Sequence, residues 1–419
     1  MSTTEQFCDD LIQEILLKLP VKTLIRLKGV SKTWLYIITS HKFVKRHFDV
    51  SVAQRQLPGN KNPKSLFFLR VGCGPKRDTY ITSMSLTPQL ECTVHDNIYL
   101  PYLKTMDDWA YRAPLFSIGL GLYCVAKFCT PVAIWNPATK EIKSLPPAPF
   151  HGKEYHYLVF GHAEFKDDRL CYKVVLLSCR DWPYFRIELY DSSSNSWKVL
   201  GCDFVYTRRW HCDEINFNGT LHLLSPGHKK PYIITFDYNT EVFGRMEVPD
   251  RLQIHPPFGI HEPILSLYDD RYLSLAVFWT TEGARNNSFF DVWIMREYGV
   301  TESWSKECTT GPLKDTTKIV NYWKSIGGIS SMRCDRNKVY ISDCASSAVI
   351  SLPVNLYKQD LYVFEHTESL ISINGAPDER RTQKLFSIKG HTVSSWVRLF
   401  ISRMKKYCRS KLCTSKLRN

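Results

Sequence analysis

Val132-Ala133-Ile134-Trp135-Asn136-Pro137-Ala138-Thr139-Lys140, running on to Leu145-Pro146, is an apolar run closed by a turn and answered by a second short run. Apolar residues of this kind suit a pleated strand, and Asn-Pro punctuates it. The layout returns at Ile187–Ser192 with Trp197–Leu200, at Ile233–Thr240 with Met246–Pro249, at Val292–Met295 with Trp304, and more weakly from Leu361 to Ile373. Further strand candidates, Thr220–Ser225, Tyr272–Phe278 and Lys338–Ser342, fall between the copies. Copies follow one another at about 45 to 70 residues, near the length of a four-stranded propeller blade with loop insertions. With a first unit around Ser65–Leu100, the spacing predicts an all-β, kelch-like propeller of about six blades over residues 65–375. Two stacked antiparallel sheets explain the same alternation. In either architecture Trp135, Trp197, Trp293 and Trp304 are expected to pack in the core.

Residues 9 to 47 behave differently. Leu11, Ile12, Ile15, Leu16 and Leu19 form one helical stripe, preceded by Asp9 and Asp10 where a helix start favours acids. Pro20 stops that helix. Val21, Leu24, Ile25 and Leu27 mark a second, which Gly29 is expected to end. Ser31 is placed to cap a third, with Trp34, Leu35, Ile37 and Ile38, extending toward Phe43. Three helices in about 40 residues cannot bury so many large apolar groups alone. Either a second polypeptide covers them or they form a cap on the rest of the chain, and periodicity does not choose between the two. Residues 51–64, with Pro58, Gly59, Asn60 and Pro63, read as a linker, which leaves 1–50 as the helical module. Together these make an α+β multidomain chain with a basic extension over 376–419.

The chain's 419 residues carry a formal charge of +14, but Arg398 to Asn419 hold eight Lys and Arg and no acid, so the remainder carries +6. A terminal basic run is usually a solvated extension, with nuclear import, an acidic partner or anionic membrane as alternatives. The first 30 residues show no basic and apolar leader, and no stretch approaches the roughly 18 uncharged apolar residues of a membrane span. These observations predict a cytoplasmic protein. The 14 cysteines form no Cys-x-x-Cys pair, so no structural metal is expected, and the cluster of His151, His156 and His162 has no ligand spacing.

The run from Asp10 to Trp34, Asp-Leu-Ile-Gln-Glu-Ile-Leu-Leu-Lys-Leu-Pro-Val-Lys-Thr-Leu-Ile-Arg-Leu-Lys-Gly-Val-Ser-Lys-Thr-Trp, resembles the F-box of plant F-box proteins. In that family the module docks on a Skp-type adaptor, which tethers it to a cullin and to a ubiquitin-conjugating enzyme. The resemblance implies adaptor-facing roles for Leu11, Ile15, Leu19, Pro20, Leu24, Val30 and Trp34. Phe7-Cys8 stands where the family opens with Leu-Pro, a departure at the rim of that face. Asn136–Lys140 with Leu145-Pro146-Pro147, and Val292–Trp304, resemble the F-box-associated interaction domain; the second string is most similar to the S-locus F-box and S-locus F-box-like branch. The resemblance implies a subunit of a Skp–cullin–F-box ubiquitin ligase that recruits a protein for degradation. In S-locus members the target is a style ribonuclease, and the setting is pollen self-incompatibility.

Motifs for catalysis are missing: there is no Gly-x-Ser-x-Gly, no phosphate-cradling Gly-x-x-x-x-Gly-Lys-Ser/Thr and no His-Glu-x-x-His. Gly119-Leu120-Gly121 lacks a third glycine and reads as a strand with close backbone packing. A non-catalytic receptor without cofactor, small-molecule substrate or bound metal is the expectation. Variable loops on a propeller face would hold the target. The candidates are Arg180, Asp181 and Tyr184; Tyr206, Arg208, Arg209 and His211; and Glu282 and Arg285. From another class, a basic nucleic-acid-associated propeller would use the tail and surface aromatics.

Overall fold

A computed structural model describes residues 9–56, 64–71, 79–87, 91–99, 115–127, 130–149, 156–167, 169–179, 186–200, 214–225, 230–252, 263–269, 271–280, 288–313, 318–325, 328–335, 338–343, 349–355 and 362–374. Two compact units emerge. One contains residues 1–50 with Asn136–Glu141 and the chain from Glu368; the other contains Ser51–Trp135 and Ile142–Thr367.

The first unit holds the helices α1 (Asp9–Leu16), α2 (Val21–Leu27), α3 (Lys32–Thr39) and α4 (His41–Gln56). Ser31 caps α3 as the sequence predicts, accepting from Trp34 N at 3.1 Å. Gly29 does not act as a left-handed stop, for Lys28 already closes α2 in a right-handed conformation. The fourth helix corrects the count of three. Ser40 adopts an extended backbone (φ −64°, ψ 137°), breaking the expected run toward Phe43, and its Oγ accepts from Phe43 N at 3.3 Å to start α4. That helix reaches Gln56, so residues 51–56 are helical rather than linker.

The β region is a propeller of four-stranded antiparallel sheets. Strands β1 (Lys64–Val71), β2 (Thr79–Leu86) and β3 (Cys92–Tyr99) open the first. Five sheets are then each built from four consecutive strands. They are β4 (Leu115–Gly119) to β7 (Glu141–Ser144); β8 (His156–Lys166), β9 (Arg169–Cys179), β10 (Arg186–Asp191) and β11 (Ser196–Leu200); β12 (Glu214–Phe217), β13 (Thr220–Ser225), β14 (Tyr232–Asp237) and β15 (Val242–Glu247); β16 (Ile264–Tyr268), β17 (Tyr272–Thr280), β18 (Ser288–Met295) and β19 (Trp304–Leu313); and β20 (Lys318–Ser325) to β23 (Val349–Asn355). Within the first of these groups β5 is Leu122–Lys127 and β6 is Thr130–Asn136. The last strand, β24 (Tyr362–Glu365), returns to pair with β1, so the first sheet joins the two ends of the propeller. Each sheet pairs only within itself, which removes the stacked-pair alternative.

The four stronger strings fall at one structural place, the connection from third to fourth strand, whereas the weaker one, from Leu361 to Ile373, holds β24. Asn136 Oδ1 accepts from Ala138 N at 3.0 Å and Thr139 N at 3.4 Å. Asp191 Oδ1 accepts from Ser193 N at 2.7 Å, and Asp237 Oδ1 from Asn239 N and Thr240 N at 2.7 and 2.8 Å. Four residues after each of these side chains the backbone turns left-handed, at Lys140 (φ 61°), Asn195 (φ 50°) and Glu241 (φ 60°). One Asx turn, used three times, explains the periodicity. Gly119-Leu120-Gly121 ends β4 and makes the tight turn into β5, with positive φ at all three residues.

Apolar clusters sit between neighbouring sheets. Phe160, Val175 and Leu189 pack with Leu221, Leu223 and Phe236. Leu224, Ile233 and Val248 pack with Leu265, Leu275 and Trp304. Trp135 and Trp304 are buried in such clusters, while Trp197 and Trp293 are half-buried. The Trp197 indole donates to Pro146 O at 2.8 Å, tying β11 to the Leu-Pro that ends the preceding repeat.

Candidate functional site

The helical unit has a true interior. Leu16, Leu17, Val21, Leu24, Leu27, Ile37, Ile38, Phe43 and Val44 are buried. His47 of α4 is buried with them, its ring within 2.9 Å of Leu19 O. Burial is the main cause that lowers its pKa, so the imidazole is neutral. Arg46 reaches Glu14 of α1 at 2.5 Å, but both side chains are half exposed and the pair contributes little.

Outside that interior an apolar surface remains open. Ile15, Leu19, Val30 and Trp34 are half-buried and Pro20 is exposed. These five stand where the sequence placed an adaptor-facing set. Leu24 does not join them, because its side chain has no exposed surface and helps hold α2 in place. Leu11 lies in α1, and its side chain falls outside the described residues. Tyr36 was absent from the expected set, yet it is the most exposed large apolar side chain among the described residues, at 77%. The apolar period of α3 points to Ile37 and Ile38, which turn inward, and Tyr36 lies off that face.

On the propeller, Arg180, Asp181, Tyr184, Tyr206, Arg208, Arg209, His211, Glu282 and Arg285 all lie outside the described residues. What is described beside the last of these segments is an aromatic pair: exposed Trp279 stacks on half-buried Phe289 with centroids 4.7 Å apart, at the ends of β17 and β18. A second exposed feature is the connection from Arg296 to Ser303. The Ser303 hydroxyl donates toward Val300 O (2.7 Å) and Glu297 O (2.8 Å), Arg251 donates to Glu302 O at 2.8 Å, and Arg296 pairs with Glu307 at 2.5 Å. Tyr298, an exposed residue, sends its hydroxyl inward to His222 Nε2 at 2.8 Å, while His222 Nδ1 donates to Ile215 O at 3.2 Å.

His222 is fully buried on β13, and desolvation pushes its pKa from 6.5 down to about 4. The fold therefore favours the neutral ring, and its contribution is fully present above pH 6.5 and lost as the pH falls from 6.5 toward 4. The shift corresponds to about 3 kcal/mol. Urea unfolding at pH 7 and pH 4.5 should show the propeller weakening on acidification; in His222→Gln the pH 7 value should fall and the acid dependence flatten.

Among the described residues no group of three or more His, Cys, Asp or Glu stands in position to hold a metal ion, and no helix is long and apolar enough to cross a membrane. Cys124 is fully buried, and desolvation raises its thiol far above the ordinary range.

Two family profiles match the chain. The F-box domain matches residues 5–46, and the F-box associated beta propeller domain matches residues 118–386. The chain belongs to the F-box associated β-propeller family. Its curated relatives are plant proteins. F-box/kelch-repeat protein At3g17530 of Arabidopsis thaliana is 26% identical over 251 residues, covering 57% of this chain and 60% of that protein. F-box protein At3g08750 of the same plant is 27% identical over 246 residues, covering 56% and 58%. With a further F-box/kelch-repeat protein of that species, At1g62270, the identity is 24% over 260 residues, 57% of this chain and 63% of the relative. The chain thus spans about three fifths of these relatives' length. Among solved structures, an oligogalacturonate lyase of Vibrio parahaemolyticus aligns with a TM-score of 0.37 and 9% identity over 71% of this F-box associated propeller chain and 80% of the lyase, a likeness too distant to carry an argument.

Proposed function

We propose that this F-box protein is the substrate-recognition subunit of a Skp–cullin–F-box ubiquitin ligase. Its helices engage a Skp-type adaptor, and through it a cullin, while the propeller holds a protein target for ubiquitination and proteasomal degradation. The protein performs no chemistry itself. The observation that carries this reading is the open apolar face of Ile15, Leu19, Pro20, Val30 and Trp34 on a module matched by the F-box profile, joined to a propeller. A small module that buries a core yet leaves several large apolar side chains partly open is built to be covered. Co-purification with a Skp-type adaptor tests it. The wild-type chain should retain the adaptor, and Leu19→Asp with Pro20→Ala should lose it by at least about 100-fold, the cost of burying an unpaired charge at an interface centre.

A finer assignment, to the S-locus branch with a style ribonuclease as target, is supported by the Val292–Trp304 string. Capture of the ribonuclease by the purified propeller would support it. Retention of unrelated plant proteins under proteasome inhibition, without any ribonuclease, would place the chain in another pathway.

A further inference from the structure

Trp279 is the one exposed tryptophan among the described residues. It stands near the end of β17, paired across the ladder with Phe289 at the start of β18, and the two rings stack 4.7 Å apart with an interplanar angle of 16°. The next pair on the same face is Val277↔Asp291, and Val277 is buried in the apolar seam with Leu265 and Leu275. The aromatic pair therefore continues a packed face into solvent, where packing alone gives no reason for an indole.

The ring is held in place as well as exposed. Its indole N–H donates to the Asp291 carboxylate. Asp291 is itself mostly covered, and it also accepts from Thr309 Oγ1 at 2.7 Å and pairs with Lys306 at 2.9 Å, both on β19. Phe289 and the carboxylate together fix the indole in one orientation, so little freedom is lost when a partner covers it. Because Asp291 already takes the N–H, the open surface offers no donor. What it offers is a π-face, made more electron-rich by donation to an anion.

The chain itself shows what such faces take. Arg245 lies over Tyr232 with its guanidinium carbon 4.0 Å from the ring centroid, Arg296 lies over Tyr272 at 5.7 Å, and Lys143 Nζ lies over Tyr172 at 5.7 Å. Tryptophan is the best aromatic acceptor of a cation, yet no Lys or Arg among the described residues covers Trp279. A planar guanidinium fits a flat, fixed indole better than an ammonium does.

We propose that Trp279 anchors the protein target by receiving one of its arginine side chains on the open indole face, with Asp291 positioning the ring. The inference rests on the receptor reading and adds the chemistry of one contact. The test uses the full chain labelled with nitrogen-15 at tryptophan, the Trp279 indole resonance being assigned by its loss in Trp279→Phe. The probes are acetyl-Gly-Arg-Gly-amide and the same peptide with citrulline, a neutral isostere, in place of arginine. The Trp279 resonance should shift saturably with the arginine peptide, at about fivefold lower concentration than with the citrulline peptide. The Trp197 indole, whose N–H is held by Pro146 O, should not move. Asp291→Ala should shift the Trp279 resonance in the free chain and abolish the preference for arginine, with the Trp197 resonance in place. An equal response to both peptides would mean apolar contact alone and overturn the proposal. So would a Trp279 that answers to diacetylchitobiose and to neither peptide, since that marks a sugar platform. Retention of a Skp-type adaptor by the same chain is measured alongside. A wild-type chain that retains no adaptor would overturn the receptor reading and the target role with it, whereas retained adaptor with an equal peptide response would overturn the arginine contact alone.

Discussion

Replacing His366 by Ala is expected to remove about 3 to 4 kcal/mol from the propeller's stability, a large part of the total for a marginally stable domain. His366 follows β24, the strand that closes the first sheet, and its backbone N–H donates to Ser65 O at 2.8 Å. The side chain is buried, stacked on Phe67 with centroids 3.9 Å apart, and its Nδ1 lies 2.9 Å from the Tyr123 hydroxyl. Truncation would leave a cavity against Phe67 and strip a buried hydroxyl of a partner, and these costs add. The β24 ladder spans only Leu66↔Glu365 to Leu69↔Tyr362, so the imidazole is a substantial part of what holds the closing strand. Urea unfolding followed by tryptophan fluorescence measures the loss. A change below about 1 kcal/mol would mean that closure depends on the strand ladder alone.

The second large effect is expected at Asn136. Its turn is the same Asx turn that Asp191 and Asp237 build, but only Asn136 also has to donate. Its Nδ2 reaches Ser369 O at 3.2 Å, Ser369 Oγ at 3.2 Å and Ile371 O at 2.8 Å, and the residue is fully buried. Glu141, at the end of the same turn, accepts from Ser372 Oγ at 2.9 Å and Ile373 N at 2.8 Å, so the turn grips the segment that follows β24 at two points. Asn136→Ala should cost about 3 kcal/mol, since it strands buried carbonyls as well as loosening the turn. Asn136→Asp should be at least as damaging, although Asp serves in the other two turns, because its carboxylate would face the Ser369 and Ile371 carbonyls. Thermal unfolding of both variants checks the order; an Asp variant as stable as wild type would contradict the donor role.

The β architecture was legible because three third-to-fourth connections repeat a side-chain turn, and such turns leave local signals: Asn136, Asp191 and Asp237 each precede a short outer strand. Closure by Tyr362–Glu365 was not legible as pairing, since its partner Leu66–Leu69 lies nearly 300 residues away and no local pattern records it. The fourth helix was hidden because Ser40 ends one helix and starts the next without Gly or Pro. On the helices, the period located the apolar stripe but did not separate buried Leu24 from exposed Pro20 and Tyr36, because both the inward and the outward faces carry apolar residues.

The central claim is that the helices at residues 11–34 bind a second protein through the surface they leave open. Hydrogen exchange of the intact chain, with and without a Skp-type adaptor, tests it most directly. Amides of α1 to α3 should exchange at least about tenfold more slowly in the adaptor's presence, with the propeller strands unchanged. Unaltered exchange across residues 11–34 at saturating adaptor would contradict the account.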